Sequence, residues 1–504
     1  MSSASRTENI KRNVLWGYIA QIGVLLLSFL GRRLFLHFLS VDYLGVNGLY
    51  TNVLQVLSLA ELGLGTAITF SLYKPLASGD EAYIRSLVRY ARRLYLFIAL
   101  AVLAIGLALI PFLPRIVNSE LPLSQLILYY VLYLVNSTMS YFVAHKSALV
   151  AASQNHRLQK RVELGMAFFA QVLHIAVLLL WHNYTVYVVA TLLCTALSNL
   201  ALGVIVDKRY PYLRDKAAPV AVDRVGIAAN IRSTFLYKLG TVAINSTDNI
   251  LISMLVSTAA VGLYSNYLVV VYAVQGFVST VTVSLLSGIG SLHAESNRAR
   301  MLEVFDVMLL TYHAVAAACG VCFFYLFNDL IPIWLGTAYL LDTPTVFAIA
   351  FNFYLTNAIS PIWMFRESTG LFNRVKYLML VTAFCNIVLS VIFGKLWGTF
   401  GILIASAAAR ILTAFWYEPM ILFQNVFDAG ASHYWRRQAK YFLCTLLTAA
   451  LCLPLARAPW RSLPFLAIKG IAFFAVTGGV FYLACRKTPE FAEARGMVRK
   501  LVGR

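Results

Sequence analysis

Residues 13–38 read NVLWGYIAQIGVLLLSFLGRRLFLHF, and this stretch decides the kind of fold that the chain can adopt. The run is apolar over about 25 residues, which is long enough to cross a lipid bilayer as one helix. Two adjacent arginines, Arg32 and Arg33, interrupt it. A charge at membrane depth costs about 3 kcal/mol on insertion scales, so such residues usually face a cavity or a partner. The stretch predicts a transmembrane helix with a basic face turned toward something negatively charged.

The composition of the whole chain is that of a multi-pass membrane protein. Of its 504 residues, 60% are hydrophobic and only 12% are charged, which excludes a soluble domain of this size. A formal net charge of +20 would suggest a nucleic-acid partner in a soluble protein. Here the basic residues lie mostly in short loops, where they set orientation in the membrane, and we expect no nucleic acid. The polar start, MSSASRTENIKRN, has no signal-type cleavage site, so we expect the first helix to be retained.

Hydrophobic runs of bilayer length predict an all-α protein with about 14 transmembrane helices. The predicted spans are 13–38, 45–73, 94–113, 122–145, 162–181, 184–206, 229–256, 262–288, 303–327, 344–365, 375–394, 399–424, 439–456 and 463–485.

The basic residues between these spans are unevenly distributed. Loops on one side carry most of the Lys and Arg residues, whereas the other side has only Arg115, Lys395, Arg457 and Arg461. The positive-inside rule therefore predicts that both termini are cytoplasmic. Segment 74–93 is basic and amphipathic, which predicts a helix lying on the inner membrane surface.

The sequence repeats weakly at an offset of 217 residues. In one register without gaps, this offset pairs Asn13 with Asn230, Gly23 with Gly240, Leu34 with Leu251, Ser40 with Ser257, Gly45 with Gly262, Tyr50 with Tyr267 and Val53 with Val270. Six spans per repeat is an even number, so the halves share one orientation and relate by an axis along the membrane normal. We expect an N-lobe over 1–206, a cytoplasmic loop over 207–228, a C-lobe over 229–425, and two further helices with a cytoplasmic tail over 426–504.

Polar side chains recur at helical spacing inside several predicted spans. They are Gln21, Ser28 and Arg32 in span 1; Gln55, Ser58 and Glu61 in span 2; Lys238, Thr241, Asn245 and Asp248 in span 7; and Arg410 in span 12. Because the basic residues in the membrane outnumber the acidic ones, we expect an anionic substrate. Guanidinium groups favour phosphate through paired donors. The alternative for any one residue is a structural ion pair, such as Glu61 with Arg32 or Asp248 with Lys238 or Arg232.

The cysteines and histidines do not predict a redox or metal site. Cys319 and Cys322 fit a C-x-x-C pattern, but they lie inside a span without polar neighbours, which favours helix packing. The histidines lack metal-ligand spacing, and we expect them to be structural; those considered are His145, His174, His293 and His313. We expect no cofactor.

Two stretches resemble the polysaccharide repeat-unit flippases of bacteria. They are FLSVDYLGVNGLYTNVLQVLSLAELGLGTAITFSLYKPLASGDEAYIRSLV at 38–88 and INSTDNILISMLVSTAAVGLYSNYLVVVYAVQGFV at 244–278. These O-antigen and capsule transporters belong to the multidrug/oligosaccharidyl-lipid/polysaccharide exporter superfamily, and the resemblance covers roughly residues 9–425. It implies two six-helix lobes arranged as a V around a central cavity. It also implies a multi-pass protein of the bacterial inner membrane that moves undecaprenyl-diphosphate oligosaccharide from the inner to the outer leaflet.

The resemblance also implies roles for individual residues. Arg32 aligns with the arginine that the related lipid II flippases keep for the pyrophosphate, while Arg33 stands where those relatives have an acid. The other expected substrate-binding residues are Arg232, Lys238, Asn245 and Arg410, with Glu61 and Asp248 as candidates for a coupling H+ or Na+. Tyr50, Tyr264, Tyr267 and Trp363 could stack on sugars, although packing is the commoner role of such residues. A polysaccharide polymerase of the same pathway is an expected partner.

Three rival classes remain for the chain. A multidrug exporter of the same superfamily would have a net acidic cavity, whereas the charges predicted at membrane depth are mainly basic. A membrane polymerase or ligase would carry a long external loop with catalytic residues, and the external loops here are short. We therefore expect no enzyme. A channel is disfavoured by the two-lobe repeat, which is typical of alternating access.

Overall fold

The computed structural model describes residues 3–61, 63–153, 156–215, 220–294, 297–427, 430–459 and 462–502. Side chains are described from Gln21 onward, except that of Ala60 and those at some positions of the helices near 156–161, 229–245, 283–294, 372–376 and 497–502. Over the described residues the chain is almost entirely helical, and it contains no β-strand. The all-α fold class predicted from the sequence is therefore confirmed.

The helices of the described residues follow one another with short connections. In chain order they are α1 (Ser3–Phe38), α2 (Val41–Leu57), α3 (Leu64–Ser78), α4 (Glu81–Ala108), α5 (Leu113–Ile116), α6 (Leu123–Met139), α7 (Tyr141–Ala152), α8 (His156–Trp181), α9 (Tyr184–Arg209), α10 (Arg224–Leu255), α11 (Thr258–Ala294), α12 (Arg298–Trp334), α13 (Thr343–Ala358), α14 (Ser360–Ser368), α15 (Phe372–Leu412), α16 (Ala414–Leu422), α17 (Ser432–Ala456), α18 (Leu463–Cys485) and α19 (Pro489–Val502).

The chain folds into two compact units, Met1–Gly262 and Leu263–Arg504. In the first unit α1 packs against α8, α8 against α9, and α10 against α2, while α7 contacts α3 and α4. Its interior contains a cluster of aromatic rings, in which the Phe35 ring lies 5.2 Å from Tyr187 and 6.0 Å from Tyr184. The lobe boundaries expected from the sequence stay a prediction.

The second unit is organised around α12. This helix contacts α13, α14, α17, α18 and α19. Phe305 of α12 is fully buried and lies against the rings of Phe365, Phe423 and Phe427 at 5.2–5.6 Å. Cys319 and Cys322 are both buried on the same helix, as the packing interpretation predicted.

Eleven stretches of the described residues are long and apolar enough to cross a membrane. One of them, 377–427, covers the two predicted spans 375–394 and 399–424, because α15 and α16 follow each other closely. A kink at Trp397 and Gly398, where Gly398 has φ +60°, marks the boundary between those spans. The predicted spans 45–73 and 229–256 are helical, but neither is among the eleven stretches found in the described part of the chain. The predicted number of 14 spans stays a prediction.

Span 45–73 is not one continuous helix. After α2, residues Ser58–Glu61 form a single 3₁₀ turn, and α3 then starts beyond Gly63. Gly63 has φ +94°, a left-handed conformation that residues with a Cβ avoid. This glycine therefore interrupts the span at membrane depth, next to Glu61.

The prediction of a separate surface helix over 74–93 is wrong. The break in this segment lies at Gly79, whose φ is +71°, and Asp80 then caps the next helix by accepting a hydrogen bond from the Tyr83 N–H at 2.9 Å. From Glu81 to Ala108 the chain contains no proline, and α4 runs without interruption over these residues. The basic residues of the segment are the first turns of a helix that continues into the predicted span.

The 217-residue offset recurs in the structure. Helix α1 ends at Phe38 and α10 at Leu255, and the following helices begin at Val41 and Thr258, which are the equivalent positions in each repeat. A Cβ on Gly45 would overlap the carbonyl of Thr258, and a Cβ on Gly262 would overlap the carbonyl of Val41. Under the offset, Gly45 is equivalent to Gly262 and Val41 is equivalent to Thr258. The two close contacts are therefore equivalent to each other, and the starts of α2 and α11 cross with local two-fold symmetry.

Replacing Gly45 or Gly262 with alanine should destabilise the protein by about 1–3 kcal/mol, because the added methyl group meets backbone that cannot rotate away. The thermal midpoint of the purified protein in detergent is the measurement. Gly23→Ala on α1 is the matched control, since a Cβ there has open space around it and alanine favours the helix. Equal midpoints for the three variants would contradict the close crossing.

The segment 207–228 is attached to α4. Arg85 donates to the Asp215 carboxylate at 2.7 Å, and Arg89 donates to the Asp215 carbonyl. Farther along, the Val220 N–H donates to the Ser86 hydroxyl at 2.9 Å. The stretch therefore follows the start of α4 before Asp223 caps α10.

The C-terminal helix α19 is held by ion pairs. Glu490 accepts from Arg437 of α17 at 3.3 Å, and Glu493 accepts from Arg300 of α12 at 2.8 Å. Arg437 also donates to Asp306 at 3.0 Å. The end of the chain, predicted as a cytoplasmic tail, thus contains a helix that is docked on the second unit.

Candidate functional site

The two arginines of the opening stretch lie in different surroundings. Arg32 is half-buried on α1 and lies near Tyr187 of α9. Arg33, the next residue, is exposed. A helix turns by about 100° per residue, so neighbouring side chains leave it in different directions. The structure thus places Arg32 inside the first unit, at the edge of its aromatic cluster.

Three further predicted residues lie on α10. The side chains of Arg232, Lys238 and Asn245 are outside the part of the chain that the structure describes, so their predicted roles stay predictions. Asp248 on the same helix is half-buried and engaged in an interaction.

Arg410 lies on α15 in the second unit. Its Nη1 donates to the Thr356 hydroxyl of α13 at 2.6 Å. The guanidinium is half-buried and its other donors also take part in an interaction.

A polar cavity of about 640 Å³ lies within the first unit, which we call the N cavity. It is surrounded by α2 with its following 3₁₀ turn, by α6 and α7, and by α8 and α9. Its lining residues are Asn47, Thr51, Leu54, Gln55, Ser58, Glu61, Tyr133, Asn136, Ser137, Ser140, Tyr141, His174, Tyr187 and Thr191. All of them except Leu54 carry a polar group, which is unusual for helices that cross a membrane.

Glu61 is the carboxylate of the N cavity. It is half-buried at the end of the 3₁₀ turn and accepts a hydrogen bond from the Tyr141 hydroxyl, while Tyr95 lies nearby. Glu61 and Ser58 also line a neighbouring cavity of about 600 Å³ along α3. The carboxylate therefore stands between two polar cavities, a position from which it could receive a proton or a small cation.

The opposite wall of the N cavity is built from α8 and α9. The His174 ring stacks on Tyr187 with a centroid distance of 4.4 Å, and its Nε2 bonds to the Thr191 hydroxyl at 3.0 Å. The sequence interpretation treated His174 as structural and did not select Tyr187 or Thr191. The signal that was missed is the polar spacing of Tyr184, Tyr187 and Thr191, which places them on one face of α9.

Two cations that were not predicted are buried in the second unit, each with carboxylate partners. Lys469 is fully buried and donates to Asp329 at 3.2 Å. Arg366 is 3% exposed and donates to Glu418 at 2.6 Å. Such pairs satisfy each other and need no substrate, so part of the membrane-depth charge is structural.

Tyr50 and Tyr267 have the packing role that is commoner for such residues, because both side chains are fully buried. The Tyr50 hydroxyl donates to the Leu126 carbonyl at 2.9 Å, and the Tyr267 hydroxyl accepts from the Leu341 N–H at 2.8 Å. Their hydroxyls join helices to neighbouring connections. Trp363 keeps 39% exposure and stays a candidate.

Comparison with solved structures shows which proteins share this arrangement of helices. The lipid II flippase MurJ in an inward closed conformation matches with a TM-score of 0.68 and 14% identity, over 93% of this chain and 99% of MurJ. An inward-facing multidrug resistance MATE family transporter of the MOP superfamily matches with a TM-score of 0.59 and 15% identity, over 80% of this chain and 98% of that one. The chain shares the fold of these two proteins.

A mutant of the Vibrio cholerae MATE transporter VcmN gives a similar result, with a TM-score of 0.58 and 12% identity over 85% of this chain and all of VcmN. No protein-family model and no curated sequence matches the chain. The similarities therefore establish a transporter fold that is common to a lipid-linked flippase and to multidrug exporters, and they favour neither substrate class.

Proposed function

We propose that the protein flips undecaprenyl-diphosphate-linked oligosaccharide from the inner to the outer leaflet of the bacterial cytoplasmic membrane, for cell-surface polysaccharide synthesis. The observation that carries this proposal is Arg32, a half-buried guanidinium inside an apolar helix at the edge of a polar cavity. A cation held in that position fits an anionic head group whose lipid tail stays in the bilayer.

The proposed roles follow from charge and position. Arg32 binds the diphosphate through paired N–H donors, because guanidinium matches phosphate geometry. Arg33 and Arg410 are further candidate ligands, and Arg232, Lys238 and Asn245 on α10 keep the substrate-binding role that the sequence predicts.

Transport proceeds by alternating access. Glu61 takes the coupling ion, H+ or Na+, because it lines the N cavity and also the neighbouring cavity along α3; Asp248 is a second candidate. Both termini face the cytoplasm under this proposal, and a polysaccharide polymerase acts on the flipped product.

A multidrug exporter is the second candidate function. It is favoured by the tyrosines near Glu61, because a carboxylate with aromatic neighbours also suits an organic cation. The basic residues at membrane depth oppose this alternative.

The wild-type protein in proteoliposomes distinguishes the two functions. We expect transfer of an undecaprenyl-diphosphate disaccharide, labelled on its polyprenyl chain, between leaflets under a proton or a sodium gradient. Ethidium in the same vesicles should not be transported. Transport of ethidium without lipid transfer would overturn the flippase proposal in favour of the exporter.

A further inference from the structure

We propose that the N cavity is a sugar-binding subsite, which takes the sugar that is attached to the diphosphate. The inference rests on the proposed flippase function and assigns a location to the sugar end of the substrate. It concerns a site within the first unit, and among the described side chains neither Arg32, Arg33 nor Arg410 lines it.

The shape and lining of the N cavity fit a small, uncharged, hydroxyl-rich ligand. Its volume of about 640 Å³ lies within the range of about 300–1,000 Å³ for small-molecule sites. Hydroxyl and amide groups of α2, α6, α7 and α9 surround the cavity. They can form hydrogen bonds with a ligand from several sides, which suits the hydroxyl groups around a sugar ring. A lipid chain would leave these polar groups without partners, at a cost for each of them.

Asn136 supplies the most specific observation. Its Oδ1 atom is buried in the wall of the N cavity and has no hydrogen-bond partner within the described part of the chain. A buried acceptor of this kind is costly unless a ligand or water satisfies it. A sugar hydroxyl is a suitable donor, because it can bond to the amide oxygen and still accept from a neighbouring group.

Other residues that line the N cavity provide a further hydrogen-bond acceptor and an aromatic surface. Thr51 uses its hydroxyl hydrogen on the Asn47 carbonyl at 2.8 Å, which leaves the oxygen free to accept. The stacked pair of His174 and Tyr187 gives an aromatic wall on the other side. Aromatic side chains that combine an apolar face with a polar edge are suited to a ligand with C–H faces and hydroxyl edges.

Arg32 connects the N cavity to the diphosphate. Tyr187 lines the cavity and also lies near Arg32. A diphosphate held by Arg32 therefore has its attached sugar within reach of the cavity. The substrate carries its groups in the order lipid, diphosphate and sugar. In the proposed position the lipid stays in the bilayer beside α1, the diphosphate binds Arg32 and the sugar occupies the N cavity.

The test compares carriers with and without a sugar. Purified protein in nanodiscs is titrated with undecaprenyl diphosphate labelled on its polyprenyl chain, and with the same carrier bearing one N-acetylglucosamine, N-acetylgalactosamine or galactose. We expect the wild type to bind at least one sugar-bearing carrier about 10-fold more tightly than the bare carrier. Asn136→Leu should reduce that advantage by about 3- to 10-fold, the value of one lost hydrogen bond. Its affinity for the bare carrier should not change.

Thr51→Val and Thr195→Val form a matched pair. Both hydroxyls bond to the carbonyl four residues earlier, but only Thr51 lines the N cavity. We expect a loss of sugar-dependent affinity for Thr51→Val and none for Thr195→Val. The bare carrier serves as the internal control for folding in every variant.

The outcomes separate the two proposals. Equal wild-type affinity for all four carriers would overturn the sugar subsite while leaving the flippase function intact. An equal loss for bare and sugar-bearing carriers in Asn136→Leu would also overturn it, since the cavity would then hold a coupling ion or serve the structure. Failure of every carrier to bind would instead contradict the flippase function itself.

Discussion

Replacing Arg32 with alanine is expected to slow leaflet transfer of an undecaprenyl-diphosphate disaccharide by about 10- to 100-fold. A hydrogen bond to a charged group contributes about 1.5–3 kcal/mol, which corresponds to this range. The arginine is half-buried inside an apolar helix, so water replaces its contribution poorly. Transfer is measured in proteoliposomes with the carrier labelled on its polyprenyl chain, after the amount of inserted protein has been equalised.

Three variants show what the Arg32 effect means. Arg115→Ala removes the same charge from an exposed position and should transport at the wild-type rate. Arg32→Lys keeps the charge but loses the paired donors, so we expect an intermediate rate. Arg33→Ala should lose less than Arg32→Ala, because Arg33 is exposed whereas Arg32 is half-buried near Tyr187, which lines the N cavity. Wild-type transfer by Arg32→Ala would assign this residue to helix packing.

The sequence predicted the helices well because the signal for each one is local. Apolar length identifies a membrane-crossing segment without knowledge of its neighbours, and most predicted spans correspond to helices of the described chain. The repeat was also visible, since equivalent helix ends such as Phe38 and Leu255 keep the same spacing in both halves. The break at Gly63 was missed, because a glycine in an apolar run is compatible with both packing and a left-handed turn.

The N cavity was only partly predictable. Gln55, Ser58 and Glu61 were selected from their spacing, and the structure places all three in the cavity wall. Asn136 and Tyr187 were not selected, because they lie on helices that are distant in sequence and are otherwise apolar. No local pattern indicates that α2, α6 and α9 converge. Whether a polar residue of these helices lines the cavity depends on which helices pack beside it in the fold.

The distinction between structural and functional charges also required the structure. An excess of basic residues in the spans predicted an anionic substrate, but sequence alone does not show which cations have carboxylate partners. Lys469 meets Asp329 across 140 positions of the chain. Its burial and its ion pair assign it a structural role in the second unit.

Removing the carboxylate of Glu418 is expected to cause a large loss of stability, about 3–5 kcal/mol, because it leaves the buried Arg366 guanidinium without its shorter ion pair. Arg366 is 3% exposed; Nη1 donates to Glu418 at 2.6 Å and Nη2 to Glu367 at 3.1 Å. The pair joins α14 to α16 in the second unit. The measurement is the thermal midpoint of purified Glu418→Leu in detergent, compared with the wild type.

The double variant Arg366→Met/Glu418→Leu tests the reason for that loss. If the cost comes from an uncompensated buried charge, removing both partners should restore most of the lost midpoint, since a packed apolar pair of similar volume is often neutral. Glu367→Gln is the matched single change and should cost less, because that side chain is 26% exposed and bonds at the longer distance. A double variant as unstable as Glu418→Leu would mean that the pair holds α14 and α16 by its own attraction. In that case the ion pair between Arg366 and Glu418 would itself stabilise the packing of α14 against α16.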